Sequence, residues 1–279
     1  HLTSRSKATS IFSSYSGFLT LALRNAARNP GRSTLTIGLV ATSCFLIVAI
    51  SAFRQAPSAL GTGGFDLVAE SAQPLFHDPH SPAGQSAWNL GEEHLKMLLP
   101  IKLLKLRVKA GDDASCLNLY QGERPQVLGV SPKMIAHFSD NDAQSFGWAE
   151  SAAETEEEQA NPWLLLDQVQ EDGTIPVILD KNTAMYSLHL YKLKGTGTTF
   201  TIDDEGRPLR FKIVGLLSNS ILQGSLLISE SQFTRYFPNI GGYRFFLINS
   251  HGQSQQVMSV LEDRLSDQGM DVEVAETRL

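Results

Sequence analysis

The sequence predicts an α+β protein in which one transmembrane helix precedes a larger domain of mixed helices and strands. Two features of the 279 residues predict this class: an uncharged apolar stretch at residues 33–53, and an alternation of strand-like and helix-like segments over the last hundred residues. The domains we expect are an interfacial amphipathic segment at 1–32, a transmembrane helix at 33–53, and an extracytoplasmic α+β domain at 54–279 that is long enough for two subdomains.

The apolar stretch has three interpretations, and its length favours a membrane span. Its 21 residues meet the requirement of about 20 for crossing a hydrocarbon core of about 30 Å. A secretory signal has a shorter apolar region of about 7–15 residues near the start of the chain. A buried helix of a soluble domain is usually shorter and shows some polar periodicity. The small hydroxyl side chains in the stretch can return hydrogen bonds to their own helix backbone, which makes them tolerable in lipid.

The charges around the apolar stretch predict its orientation. Arg24, Arg28 and Arg32 precede it and Arg54 follows it, whereas no acidic residue precedes it. Of the 23 basic and 29 acidic residues, 18 basic and all 29 acidic ones lie in 33–279, which gives that part a net charge of −11. Because positive flanks stay in the cytoplasm during insertion, we expect a cell (inner) membrane protein with a cytoplasmic N-terminus. The four arginines are our candidates for setting this orientation and for contacting a partner.

The segment before the span is predicted to be a short amphipathic helix on the cytoplasmic face of the bilayer. In GFLTLALRNAARNP the apolar residues fall on one side of a helix, and Arg24 and Arg28, one turn apart, fall on another. Arginines at this position can meet lipid phosphates or a partner protein. We expect Pro30 and Gly31 to end this helix and turn the chain into the membrane.

The outer domain is predicted to begin with several strands. Strand patterns occur at GFDLVAES, PIKLLKLRVKAGDD, SCLNLYQ and PQVLGVSP. Residues 139–162 have few branched aliphatic side chains and contain ETEEEQ, so we expect an exposed acidic loop or a short helix there. TIPVILD is a strand that leads into a short helix near KNTAMYSL, and TTFTID forms a hairpin with PLRFKIVGLL.

The last third is predicted to run β-α-β-α-β. The strands are GSLLIS, GYRFFLINS and MDVEVA. Each helix is expected to begin at a capping pair, Ser229 with Gln232 and Ser250 with Gln253. The second helix places four apolar residues on one face and ends at Gly269; the four are Val257, Val260, Leu261 and Leu265.

The outer domain is predicted to fold on a hydrophobic core without a disulfide. Cys44 lies in the apolar stretch and Cys116 in the outer domain, so the two should not pair. About 225 residues suffice for such a core. Tyr243, Phe245 and Phe246 have strand spacing, which is more typical of a core than of a binding site.

The sequence contains no motif for enzyme chemistry. The phosphate loop G-x-x-x-x-G-K-[ST], the nucleophile motif G-x-S-x-G, H-E-x-x-H and C-x-x-C are all absent. We therefore predict no catalytic residue, no cofactor and no metal site in this chain. An acidic outer domain also repels a phosphate backbone, so we expect no nucleic acid partner.

Weaker patterns remain, and we favour a structural interpretation for each. His77, Asp78 and His80 suit a transition metal, but they lack a defined third ligand and are typical of a solvated loop. Asp112 and Asp113 after a glycine are usually a turn. KGTGTTF lacks the following helix that would receive a phosphate, and ETEEE is typical of a solvated face.

Three segments resemble the FtsX/MacB-like permease family of ABC transporters. LALRNAARNPGRSTLTIGLVATSCFLIVAISAFR resembles the family's interfacial helix followed directly by a transmembrane helix. FKIVGLLSNSILQGSLLIS resembles the late part of its extracytoplasmic domain. SVLEDRLSDQGMDVEVAETRL resembles the helix, strand and Arg-Leu run that precede the next membrane helix. The first and last are the more specific, and between about 72 and 165 only general strand character is shared.

The resemblance implies a permease subunit whose outer domain binds a substrate or partner and transmits ATP-driven motion across the membrane. It implies an outer domain with a porter-like part and a β-rich insertion. It also implies three partners: a separate ABC-type ATP-binding subunit, a second permease protomer and the lipid bilayer. The family continues into at least three more spans, so we expect this chain to be a segment of a longer permease. Two alternatives stay open: a single-pass sensor or adaptor with a ligand-binding outer domain, and a membrane-anchored enzyme using the His77 region.

Overall fold

The structure is a computed structural model in which the chain forms two compact units, residues 1–56 and 57–279. It describes residues 20, 24, 27–53, 59–111, 125–140, 144–170, 172–188, 190, 195–204 and 206–279. The predictions for Arg54, Asp112, Asp113, Cys116 and the strand SCLNLYQ lie outside these residues, as does most of the predicted amphipathic helix. We call residues 57–279 the sheet unit.

The first unit contains the long helix α1 (Pro30–Phe53). At about 1.5 Å per residue its 24 residues extend over about 36 Å, and the part from Pro30 to Ser51 is long and apolar enough to cross a membrane. Hydroxyl groups bond to the helix backbone as predicted, because Thr34 and Ser43 donate to the carbonyl oxygens four residues earlier. This satisfies the hydroxyl donors without a partner outside the helix.

The start of α1 corrects the predicted boundary. The chain bends at Asn29, and Pro30 and Gly31 are already helical. The carbonyl of Asn29 accepts the first helical hydrogen bond, from Ser33 N–H at 3.1 Å. Proline fits the first position of a helix because its missing N–H would have no partner there and its φ is already helical. Pro30 and Gly31 therefore begin the long helix and do not end the preceding segment.

The sheet unit is built on one sheet of ten described strands. They are β1 (Leu67–Leu75), β2 (Lys102–Lys109), β3 (Gln126–Val130), β4 (Trp148–Ser151), β5 (Ile175–Asp180), β6 (Thr199–Asp204), β7 (Arg207–Leu217), β8 (Ser225–Ser229), β9 (Tyr243–Asn249) and β10 (Met270–Val274). Their order is β10-β1-β9-β2-β3-β8-β5-β7-β4, with β6 also paired to β7. The pairs β3–β8 and β5–β7 are parallel, and the other described pairs are antiparallel.

Short helices and helical turns connect the strands. They are α2 (Ala59–Thr62), α3 (Pro82–Ala87), α4 (Glu92–Leu98), α5 (Pro132–His137), α6 (Glu156–Ala160), α7 (Glu230–Tyr236), α8 (Ser254–Arg264), 3₁₀ turns at Pro162–Asp167, Ser266–Gln268 and Ala275–Arg278, and a π-helical turn at Thr183–Ser187. Helices and a mixed sheet in one unit confirm the predicted α+β class.

Both faces of the sheet are buried, and the alternation of side chains along each strand assigns each residue to a face. One face carries a continuous core that runs from β1 to β7; its residues include Val68, Leu106, Leu128, Leu227, Ile178 and Val214. The opposite face carries two separate cores. One lies against α8 and includes Ile248 and Val257, and the other lies against α7 and includes Phe211 and Phe233. Leu103 at the start of β2 packs against the first of these cores, whereas Lys105, Arg107 and Lys109 in the middle of that face belong to neither.

The predicted organisation of the last third is confirmed as β8-α7-β9-α8-β10. The β6–β7 hairpin has the predicted antiparallel register. Ser229 caps α7, since its hydroxyl accepts from Gln232 N–H. Phe245 and Phe246 are buried in opposite cores, and Tyr243 is half-buried beside one of them.

The second predicted capping pair is wrong. The hydroxyl of Ser250 donates to the carboxylate of Asp66, and α8 begins only at Ser254, whose hydroxyl donates to the same carboxylate at 2.7 Å. The Ser250 N–H, which the Gln253 side chain would accept in a capping box, donates to Asp66 at 2.7 Å, because a charged oxygen is a stronger acceptor than a neutral one. Burial raises the pKa of Asp66, but the hydrogen bonds from Ser250 and Ser254 together outweigh it and leave that pKa below its usual value.

Residues 139–162 are more structured than the sequence predicted. The expected short acidic helix is α6, which begins at a capping box between Thr155 and Glu158. The same region also contributes β4 and a fully buried neighbour, Trp163, whose ring lies 5.8 Å from that of Phe146 and 5.5 Å from that of Trp148. Aromatic side chains bury large areas without any branched aliphatic residue, which is why a count of aliphatics missed this part of the core.

Candidate functional site

The arginines predicted to orient the chain lie at the surface of the first unit. Arg24 and Arg28 are helical and exposed, and Arg32 is exposed in the first turns of α1. The chain bends between Arg28 and Arg32, at Asn29, so these two are not neighbours on one regular helix. The orienting role of the arginines, including Arg54, stays a prediction.

The predicted His77–His80 loop is held by its aspartate. The carboxylate of Asp78 accepts from the His80 N–H at 3.0 Å and lies 3.4 Å from Lys105 Nζ and 3.2 Å from Lys133 Nζ. Burial raises the pKa of Asp78, but the bonds from His80 and Lys133 and the charge of Lys105 outweigh it and hold that pKa far below its usual value. His77 is exposed. Across the described part of the chain, no three His, Cys, Asp or Glu residues are grouped to hold a metal ion.

The glycine-rich turn of KGTGTTF binds a carboxylate of this chain. The N–H and the hydroxyl of Thr196 both donate to Glu150 Oε1 at 2.9 Å. Gly195 has φ +96° and packs against the same carboxylate. The turn therefore attaches β4 to the start of β6, in line with the structural interpretation of this motif.

The first and last residues of the sheet unit meet at one place, which we call the junction (residues 60–65 and Leu279). The Leu60 carbonyl accepts from Gly147 N–H at 2.8 Å, and the Gly61 carbonyl accepts from Ile221 N–H at 3.0 Å. The first residues are thus hydrogen-bonded to the segments that flank β4 and follow β7, at the far edge of the sheet from β10.

Gly61 allows the last residue to pack at the junction. A Cβ at this position would lie 2.7 Å from Leu279 Cδ2 and 2.6 Å from the Asn219 carbonyl oxygen, so any larger residue would have to displace one of them. Before Leu279, the Arg278 guanidinium pairs with Glu70 at 2.8 Å and with Glu273. The two ends of the unit are therefore fixed against each other and against the sheet.

Phe65 connects the junction to α5. Its ring is buried and lies 5.8 Å from the ring of His137 and 6.4 Å from that of Phe138. His137 Nδ1 in turn lies 2.9 Å from Lys102 Nζ. Burial and the Lys102 charge lower the pKa of His137, and Asp140 opposes them only in part. The imidazole is therefore kept neutral, so that it can accept a hydrogen bond from the ammonium group.

The middle of the second sheet face carries three cations, which we call the basic face of β2 (Lys105, Arg107 and Lys109). Each is mostly buried and pairs with an acid from a different segment. Lys105 pairs with Asp78. Arg107 Nε lies 2.7 Å from Glu230 Oε1, and Lys109 Nζ lies 3.2 Å from Asp204 Oδ1. The loop after β1, the start of α7 and the end of β6 are thereby joined to one central strand.

Aromatic rings complete the surroundings of the basic face. Lys105 Nζ lies 4.5 Å and the Arg107 guanidinium 5.0 Å from the centre of the Tyr243 ring, which favours cations electrostatically. The Tyr243 hydroxyl donates to Glu230 Oε1 at 2.8 Å. Burial and this hydrogen bond raise the pKa of Tyr243, so the phenol stays protonated and shares the carboxylate with Arg107.

Sequence reasoning missed the basic face, although a signal was present. In KLLKLRVK, apolar residues at 104, 106 and 108 alternate with the three cations, a pattern that predicts one apolar and one charged face. A charged face usually meets solvent. In this structure, three acidic residues from distant segments pair with the cations of this face. The sequence around β2 does not indicate which acidic residues these are.

We predict that the Arg107–Glu230 pair stabilises the sheet unit. Glu230→Gln or Arg107→Met leaves a mostly buried charge without its partner, so each should lower the free energy of unfolding by about 1–3 kcal/mol. The double variant should lose less than the sum of the two single losses. Urea unfolding of the detergent-solubilised chain, followed by tryptophan fluorescence, measures all three. Strictly additive losses would show that the two side chains do not interact.

We predict that His137 makes stability depend on pH. Its folded pKa lies below its unfolded value of about 6.5, so the unfolded chain takes up the proton first. The contribution is complete above that value and is lost as pH falls through it. His137→Gln should flatten the decline in unfolding midpoint between about pH 7 and pH 5, whereas His77→Gln, at an exposed position, should not. Equal slopes for His137→Gln and the parent chain would contradict the assignment.

No protein-family model and no curated protein matches the chain. Among solved structures, it is similar to the periplasmic region of MacB from Actinobacillus actinomycetemcomitans, with 12% identity, a TM-score of 0.36, and coverage of 79% of this chain and 93% of that one. It is also similar to the extracellular domain of the noncanonic ABC-type transporter YknZ from Gram-positive bacteria, with 13% identity, a TM-score of 0.35, and coverage of 75% and 98%.

Proposed function

We propose that this chain is the membrane-insertion segment and outer domain of an ABC transporter permease subunit. The outer domain binds a substrate or partner and passes ATP-driven motion to it. The observation that carries this proposal is the junction, where the first residues of the sheet unit and Leu279 pack against each other. A domain that receives motion from a membrane segment needs the residues that follow this segment to be rigidly tied to its core.

The contacts at the junction favour such a transfer. Two main-chain hydrogen bonds tie Leu60 and Gly61 to the β4 and β7 side of the sheet, while Arg278 ties the last turn to β1 and β10. A displacement of either end therefore acts on both edges of the sheet together. Packed elements of this kind move as rigid bodies, since close-packed cores deform little.

Two features suggest the proposed partners: the sequence has no phosphate-binding loop for ATP, and α1 has an apolar surface. ATP hydrolysis resides on a separate ABC-type ATP-binding subunit, and this chain is not itself an enzyme. The side chains of α1 are apolar and exposed, which suits contact with the lipid bilayer and with helices of the permease, including a second protomer. We propose no nucleic acid partner, because the acidic sheet unit repels a phosphate backbone.

We expect an ABC-type ATP-binding subunit to copurify with this chain. The full chain, tagged and extracted in mild detergent from the membranes of the cell that makes it, should recover such a subunit, identified by mass spectrometry. Arg24→Glu with Arg28→Glu should reduce the recovery if these side chains contact the subunit, and Lys96→Glu with Lys181→Glu, at exposed positions of the sheet unit, should not. Recovery of a signalling kinase in its place would favour the sensor interpretation and contradict the proposal.

We expect the arginines before the span to keep the N-terminus in the cytoplasm. With both native cysteines replaced by serine, a cysteine at the exposed Tyr186 should react from outside intact cells with a membrane-impermeant maleimide. Arg28→Glu with Arg32→Glu should lower this labelling, because positive flanks resist translocation. The Lys96→Glu, Lys181→Glu pair is again the control. Full labelling of the arginine variant would contradict the proposal that these arginines orient the chain in the membrane.

A further inference from the structure

Two outer strands of the sheet, β10 and β6, differ in charge. Among the strands that the structure describes, β10 at one end of the sheet pairs only with β1, and β6 pairs only with β7. The other outer strand, β4, lies beyond β6 along the same side of β7. Alternate residues of such a strand direct N–H and C=O groups away from the sheet, which makes the strand a template for another strand. Proteins usually protect these positions with charge or with a covering element.

The β10 edge is protected by its own charges. It carries Asp271 and Glu273 on one face of a five-residue strand, and Glu273 is already paired with Arg278 of the same chain. In a two-fold antiparallel pairing with a second copy, any register centred within 271–273 sets an acid directly opposite an acid. Like charges opposite each other destabilise a strand pair. A second copy is therefore disfavoured at β10.

The β6 edge has the opposite character. Its sequence TFTIDD is uncharged over the first four residues and rich in residues that favour strands. A two-fold antiparallel pairing centred on Thr201 sets Phe200 opposite Ile202 of the second copy and Thr199 opposite its Asp203. The first is an aromatic with β-branched pair and the second can hydrogen-bond, both of which stabilise a strand pair. No like charges meet in this register.

The side chains of β6 also have the exposure that such a pairing needs. Thr199, Thr201 and Asp203 are exposed, and Phe200 and Ile202 are only half-buried. Phe200 stacks on Phe211 of β7 with ring centres 5.4 Å apart. A second copy would extend this apolar row across the two-fold axis. Asp204, the remaining acid of the strand, is already paired with Lys109.

We propose that two copies of this chain pair along β6, antiparallel and centred on Thr201, to form one sheet across two protomers. The inference rests on the second protomer of the proposed function and assigns its contact. A five-residue ladder is a small interface, so the pairing is weak when isolated and is favoured when both copies share one membrane, which raises their effective concentration.

A cysteine at the symmetry axis tests the pairing. In the full chain in membranes, with Cys44→Ser and Cys116→Ser, Thr201→Cys should form a disulfide-linked dimer under mild oxidation. Thr199→Cys is the matched control on the same strand face. In the proposed register, residue 201 lies about 4.5–5.5 Å from its copy, whereas residue 199 lies roughly 13 Å from its own. The dimer yield should be at least about tenfold higher for Thr201→Cys, and the pair Thr199→Cys with Asp203→Cys should restore cross-linking.

Three outcomes would overturn the inference: no dimer from Thr201→Cys, equal yields at 199 and 201, or cross-linking of Thr201→Cys to a different protein. Thr201→Lys, at an exposed position, sets two ammonium groups opposite each other and should lower the dimer fraction of the full chain in membranes, measured by energy transfer between two differently labelled copies, without changing circular dichroism. An unchanged dimer fraction would count against the proposal. If an ATP-binding subunit copurifies but Thr201→Cys fails to cross-link, only the site of pairing is wrong. If cross-linking succeeds without such a subunit, the proposed function is wrong and the pairing stands.

Discussion

Neutralisation of the three cations on β2 is the constraint on which the rest of the sheet unit depends. Side chains of Lys105, Arg107 and Lys109 are only 17%, 19% and 23% exposed, and removing an unpaired charge from water costs several kcal/mol. The central strand can therefore be covered only when acids arrive with the covering segments. Each acid belongs to a different one: the loop after β1, the hairpin and α7.

The same constraint explains why one sheet face has two cores. The apolar side chains of the second face are interrupted at β2, so α7 and α8 cover separate patches on either side of the cations. On the other face, β2 contributes Leu104, Leu106 and Val108 to a core that is continuous. Side chains alternate between the two faces along a strand. The apolar side chains of β2 therefore make the core continuous on one face, and its cations divide the core of the other face in two.

Many elements of this fold could be predicted from the sequence, whereas their partners could not. Strand and helix patterns depend on residues a few positions apart, and the order β8-α7-β9-α8-β10 followed from such patterns. The Arg107–Glu230 pair joins residues 123 positions apart. Hydrophobic periodicity predicts which face of the sheet a side chain lies on, but it does not predict which residue that side chain contacts. Ser250 was misassigned for this reason, since its acceptor, Asp66, lies just before β1 and is 184 positions away in the sequence.

The candidate site divides in the same way. The arginines near the N-terminus could be proposed from charge and hydropathy alone, because membrane insertion responds to local composition. The junction could not, because it depends on the missing Cβ of Gly61 and on residues near 147, 219 and 279 that meet only in the folded chain. Nothing in the sequence around Gly61 distinguishes it from the neighbouring turn glycines, Gly63 and Gly64.

The charge difference between the sheet edges also bears on which assemblies can form. Contacts between unlike surfaces of one chain propagate into open filaments, whereas a contact between like surfaces closes at two. If β6 of one copy met β10 of another with Thr201 opposite Val272, Glu273 and Asp271 would lie opposite Phe200 and Ile202. Burying those acids beside apolar side chains is unfavourable. Since β10 is disfavoured both against itself and in this register with β6, the pairing of β6 with its own copy is the favoured contact, and that contact closes at two.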